Sequence, residues 1–184
     1  MPLWGANTSD ESKPKNLTAE EKSRVFADAR GWVITRPDGN EEVLVAIRNL
    51  SDAGKLAGAT IQQVYFRAAS YSTGATGVVR VVWNEKITPT TTGTLTITAT
   101  AADGTSVSTI TATRSGNATA RNYVDFAFTA PSTTGSTLAI DVQTITMGIN
   151  DAGTTVTSDL TIASGDIVSA ALVKDGPATA VTTA

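Results

Sequence analysis

The chain has 184 residues, and neither histidine nor cysteine is among them. It therefore has no imidazole base, no Ser-His or Cys-His pair, no thiolate nucleophile, no disulfide frame and no cysteine-based metal site. Catalysis would fall to carboxylates, lysines and hydroxyls. A glycosidase-like or aspartic-protease-like pair needs two carboxylates in one apolar cleft. Apart from Asp125 and Asp141, the acidic residues fall beside Gly, Asn, Ser or another charge, or in an expected turn or helix. Asp141 lies between Ile140 and Val142 and so should face the polar side of its strand. The many Ser and Thr hydroxyls have no base of suitable pKa beside them, and no serine sits in a G-x-S-x-G elbow. Gly74-Ala75-Thr76-Gly77 lacks the Lys-Ser or Lys-Thr pair of a phosphate loop. Lys174, after Ala170-Ala171-Leu172-Val173, reads as a strand end.

Calcium is the one metal this composition would suit, through Asp and Asn oxygens. The run Gly148 to Gly153 gathers such ligands but lacks the Asp spacing and closing Glu of an EF-hand, so a plain turn is expected there. The expectation is thus no enzyme, no cofactor and no metal site.

The composition shows which elements would carry these residues. Charged residues are 17% of the chain, against roughly 25% in ordinary domains. Thirty-two threonines and 27 alanines take their place. Threonine is β-branched and suits a pleated strand, whereas the straight-chain helix formers are scarce. The expected class is all-β, an antiparallel sandwich of immunoglobulin-like or jelly-roll type, with an extended N-terminal arm and one short helix. The net charge of −3 argues against nucleic acid as principal ligand. No stretch approaches the roughly 20 apolar residues that span a bilayer, and the first residues do not read as a secretory leader, so neither membrane insertion nor Sec export is expected. Asn16 and Asn117 stand in Asn-x-Thr sequons, which a threonine-rich chain produces by chance.

Fifteen of the 31 charges lie in residues 1–50, so the chain is written in two styles. Residues 1–16 are polar and proline-punctuated and read as an extended arm. Inside it Leu3 and Trp4 form one apolar group that cannot bury itself locally, and Trp4 therefore needs a pocket elsewhere. The expected pocket belongs to a neighbouring subunit; the competing reading folds the arm back on its own sandwich. Residues 17–30 read as a short helix, with Thr18 and Glu21 at capping-box spacing and Leu17, Val25, Phe26 and Ala29 on one side. Residues 31–175 read as the sandwich and 176–184 as a loose tail or edge strand. Within the sandwich, GWVITR and EEVLVAIRNL form a hairpin about Pro37-Asp38-Gly39-Asn40. The Val78 to Trp83 run suggests a central strand covered on both faces. A second hairpin turns at Asp103-Gly104, with Leu95, Ile97 and Ala99 inward on one arm, Val107 and Ile110 inward on the other, and a bulge between the last two.

The opening MPLWG, the segment ESKPKNLTAEEKSRVFADARGWVI and the continuation RPDGNEEVLVAI resemble the start of small virion structural proteins of marine T4-like and related tailed phages, especially cyanophages. The resemblance covers roughly residues 1–50 and carries no catalytic residue. It implies a non-enzymatic particle component, present in many copies and made in the host cytoplasm. Such a component is most simply a capsid decoration (cement) protein, with a head-tail connector or tail component as the alternative position. Its partners would be the major capsid protein or other virion proteins and further copies of itself. Leu3 and Trp4 would anchor it, and the arm from Asn7 through Lys13 to Lys15 would lie along a neighbour. A glycan-binding or host-attachment sandwich is the rival class. It would need an aromatic platform, and Tyr65, Phe66, Tyr71 and Trp83 are the candidates, although their neighbours read as core.

Overall fold

A computed structural model describes residues 13–51, 56, 58–116, 118–151, 159–168 and 180–183. The fold is all-β and sandwich-like, with one helix among the described residues. That helix, α1, spans Ala19–Ser23. The strands are β1 Val25–Asp28, β2 Gly31–Thr35, β3 Glu41–Ala46, β4 Ile61–Phe66, β5 Ser70–Tyr71, β6 Thr76–Pro89 and β7 Thr94–Thr100. They continue as β8 Val107–Ser115, β9 Arg121–Thr129, β10 Thr137–Ile140, β11 Gln143–Thr144, β12 Ile149–Asp151, β13 Thr161–Ile162 and β14 Ala180–Thr183.

Twelve of them form one bent sheet in the order β3-β2-β1-β6-β9-β8-β7-β10-β14-β5, with β4 and β12 also pairing with β6; β11 and β13 form a separate pair. The 14-residue β6 is the spine. It runs antiparallel to β4, β9 and β12 and parallel to β1 at Ala27–Glu85. Its valine-rich middle is buried, as expected for a central strand, and the main core gathers Val79, Val81, Trp83, Phe126, Ile97 and Leu138 between the layers. A smaller core of Val25, Ala27, Trp32, Ile34, Leu50 and Leu56 lies under the N-terminal hairpin. Each such side chain, fully withdrawn from water, contributes roughly 1.5–3 kcal/mol before its ordering entropy is subtracted.

Both predicted hairpins are present, because their turn chemistry is local. β2 pairs with β3 across the Pro37–Asn40 turn, and β7 pairs with β8 without a register break. In the second turn Asp103 accepts the N–H groups of Thr105 and Ser106, at 2.8 and 3.0 Å. The Ser106 and Thr105 bonds hold its exposed carboxyl down at about 2. At the start of β2, Gly31 has φ +130°, and a Cβ there would run into the Val45 carbonyl oxygen of β3. Only glycine fits that crossing.

Four expectations need correction. The helix expected over 17–30 stops at Ser23: its capping box forms, but Val25 to Asp28 are extended as β1. All four are buried between β2 and β6, so pairing on both sides overrode the apolar spacing that had looked helical. The expected bulge between Val107 and Ile110 is absent, and Val107 is 65% exposed. Even-numbered Ile110 and Ala112 turn to the core, where they face Ile97 and Leu95, while Val107 lies on the other face beside the hairpin tip. Asn150 and Asp151, expected in an Asn-Asp-Ala-Gly turn, belong instead to β12, which pairs with Ile87 to Pro89. The C-terminal segment, expected as a loose tail or an edge strand, contains an inner strand, since β14 has β10 on one side and β5 on the other. Lys174 lies outside the described residues.

Candidate functional site

The residues singled out in the sequence are not brought together. Leu3 and Trp4 lie outside the described residues. Lys15 is exposed, whereas Lys13 is 1% exposed and its Nζ donates to the Lys22 carbonyl at 2.9 Å. Lys13 therefore fastens the arm's root to the end of α1. The ammonium is drawn inward because a helix end offers carbonyls with no partner within the helix. Of the proposed aromatic platform, Phe66 and Trp83 are fully buried and Tyr71 nearly so, so these three rings are packing groups. The Tyr71 hydroxyl accepts the Ala68 N–H at 3.1 Å and donates to the Val78 carbonyl at 3.0 Å, and Trp83 Nε1 donates to the Asp159 carbonyl at 2.9 Å.

The acidic residues are engaged structurally. Asp141 is exposed and accepts the Thr98 hydroxyl. Asp159 and Asp166 stitch the β13 turn by accepting the N–H groups of Thr161 and Ala163, each at 2.8 Å. Burial, and to a lesser degree the Asp159 charge, pushes the Asp166 carboxyl up from its ordinary range. Asp28, Arg30, Glu41 and Lys86 form a charge network that ties the N-terminal hairpin to β6: Arg30 donates to Asp28 at 2.6 Å and to Glu41, and Lys86 reaches Glu41 at 3.1 Å and Asp28 at 3.5 Å. Among the described residues no group of three or more carboxylates is placed to hold a metal ion.

Two surface features stand out. The first is the free side of β8. β7 accompanies it from Val107 to Thr113, but β9 pairs only with Thr113, Arg114 and Ser115. Among the described residues, the stretch Val107 to Ala112 has no strand on its other side, and it contains neither a charge nor a proline. Such an edge offers unpaired N–H and C=O groups to another strand.

The second is an arginine-tyrosine surface that begins on the outward face of β9. Arg121, Tyr123 and Asp125 alternate there, opposite the buried Val124 and Phe126. Arg80 on β6 donates Nε and Nη2 to the Asp125 carboxylate at 2.7 and 2.8 Å, and its guanidinium carbon lies 3.7 Å from the Tyr123 ring centroid. Arg67 comes within 3.7 Å of the same carboxylate. Beyond the Ser115–Asp125 pair the two strands part, because Gly116 takes φ +85° and turns the chain away. The gap is a pocket of about 320 Å³ lined by Arg114, Ser115, Thr119, Arg121, Tyr123 and Asp125, among others. Sequence reasoning missed this surface. Its signal was the period-two run Arg121, Tyr123, Asp125, which is polar at every position where its neighbours are core.

No family model matches the chain, and no curated protein or solved structure is significantly similar to it.

Proposed function

We propose that the protein is a structural component of a phage particle, most simply a capsid decoration (cement) protein, that works by contacts between subunits. The origin rests on the resemblance of residues 1–50 to virion proteins of tailed phages. The mode of action is supported by the Val107 to Ala112 edge, which no strand among the described residues covers. A monomer would carry such an edge at the risk of uncontrolled pairing, and soluble proteins usually blunt it with lysine, proline or a covering segment. Here the protection would come from a neighbouring subunit of the shell. Threonine and alanine surfaces lose little side-chain entropy when covered, and weak contacts of this kind multiply over a lattice. Lys13 gives the N-terminal arm a fixed root, from which Leu3 and Trp4 would reach a neighbour.

Copy number in purified particles tests the position. A count scaling with the major head protein supports decoration, and a ring-sized count of about six or twelve would instead indicate a connector, since closed rings fix their copy number by symmetry. Removal of residues 1–12, which keeps the buried Lys13 and its bond to Lys22, tests the mechanism. The sandwich should still fold, and the truncated chain should no longer join the particle; unchanged incorporation would refute the role of the arm.

A further inference from the structure

We propose that the pocket between the end of β8 and the start of β9 binds a small oxyanion, a carboxylate or a phosphate, through Arg114 and Arg121. Both guanidiniums line this pocket, and neither makes an ion pair among the described residues. Arg114 spends Nη1 on the Gly116 carbonyl at 3.1 Å, and its Nε is shielded from solvent with no hydrogen-bond partner. Arg121 spends Nη1 on the Tyr123 hydroxyl at 2.5 Å. Each therefore retains donors of the fork that matches a carboxylate or phosphate.

The pocket's one carboxylate does not neutralise them. Asp125 is held on its other side by both donors of Arg80, with Arg67 close by. The excess charge is therefore positive, in a chain whose overall charge is −3. Arg80 covers one face of Tyr123, so that ring does not offer an open stacking platform, and the anionic group is the part of a ligand that would be recognised. The volume of about 320 Å³ suits a free phosphate or a single acidic sugar.

The test is a titration of the full chain followed by amide NMR shifts, with inorganic phosphate, with glucuronate and with uncharged glucose as control. Saturable shifts at Ser115, Gly116, Thr119 and Tyr123 are expected with at least one of the two anions and not with glucose. The anion that saturates at lower concentration identifies the source. The Arg114→Gln/Arg121→Gln double variant should weaken binding at least tenfold, whereas Arg36→Gln, on the N-terminal hairpin and outside the pocket, should leave it within about twofold. Arg121→Gln alone, at an exposed position, keeps the test decisive if the double variant does not fold; it should weaken binding severalfold. Absence of saturation by either anion up to about 20 mM, or unchanged affinity in Arg121→Gln, would overturn the assignment.

Discussion

Arg80 and Asp125 face each other across the β6–β9 pair and are joined by two hydrogen bonds of 2.7 and 2.8 Å, with side chains only 18% and 21% exposed. Burial disfavours the Arg80 charge, but the Asp125 bonds outweigh it and hold the guanidinium above its ordinary pKa. Asp125→Ala should therefore cost about 1–3 kcal/mol, since it leaves a largely covered cation without its counter-charge. Removing both partners should cost less than the sum of the single losses. A double-mutant cycle by urea unfolding measures that coupling, and additivity would show that the pair is energetically idle.

The Asp28–Arg30–Glu41–Lys86 network predicts how stability falls in acid. Burial pushes the Asp28 and Glu41 carboxyls up, but hydrogen bonds from Arg30, with Lys86 adding to them, bring both below their ordinary values. Folded-state values below the unfolded ones stabilise the fold above the unfolded carboxylate pKa, near 4, and the benefit is lost as pH falls through the lowered values. Asp28→Asn should thus destabilise the protein at pH 7, by about 1–3 kcal/mol, and much less at pH 2–3. Chemical unfolding of both chains at the two pH values checks this; a gap independent of pH would contradict it.

Tyr71→Phe removes one oxygen and should still be felt. That hydroxyl is the partner of the Ala68 N–H and the Val78 carbonyl, and the ring packs edge-on against Phe66 and Phe128. With the ring kept and the hydroxyl gone, the Ala68 N–H loses its partner while the Val78 carbonyl keeps the Arg67 N–H at 2.9 Å, and the loss should be about 1–3 kcal/mol. A thermal midpoint within 1 °C of the parent would show that water replaces the hydroxyl freely.

Thr111 is an exposed position in the unpaired stretch of β8. Thr111→Lys should leave the stability of the isolated chain within about 0.5 kcal/mol, because surface substitutions away from special contacts seldom do more. It should lower self-association or incorporation into particles, because a charge on an edge opposes strand addition. Sedimentation and particle incorporation provide the readouts, and unaltered assembly would exclude this edge as the contact.

What could be read from the sequence follows the range of the forces involved. The turns at Gly39 and Asp103-Gly104 and the capping box of Thr18 and Glu21 are local chemistry, and all are present. The valine run of β6 announced its central place because burial on both faces suppresses alternation. Val25 to Asp28 misled because their spacing fits a helix, and only the distant β6 makes them a strand. Asn150 and Asp151 misled similarly: Asn and Asp suggest a turn until a partner strand satisfies their backbone. Nothing in the letters neighbouring Lys13 reveals that the end of α1 supplies a carbonyl for it. The arginine-tyrosine surface joins β4, β6, β8 and β9, and no single segment spells it out.

Because β6 packs into the main core, meets β1 at Ala27 and joins the charge network through Lys86, one ribbon ties the main core to the N-terminal hairpin. The N-terminal hairpin then has no melting temperature of its own: to let go of it, heat must break contacts with the strand that also supports everything else. A calorimetric scan should show a single endotherm whose van't Hoff and calorimetric enthalpies agree. In the shell role proposed above, where load would be sustained, that indivisibility would make it hold whole or fail whole, with no half-open form to fray first.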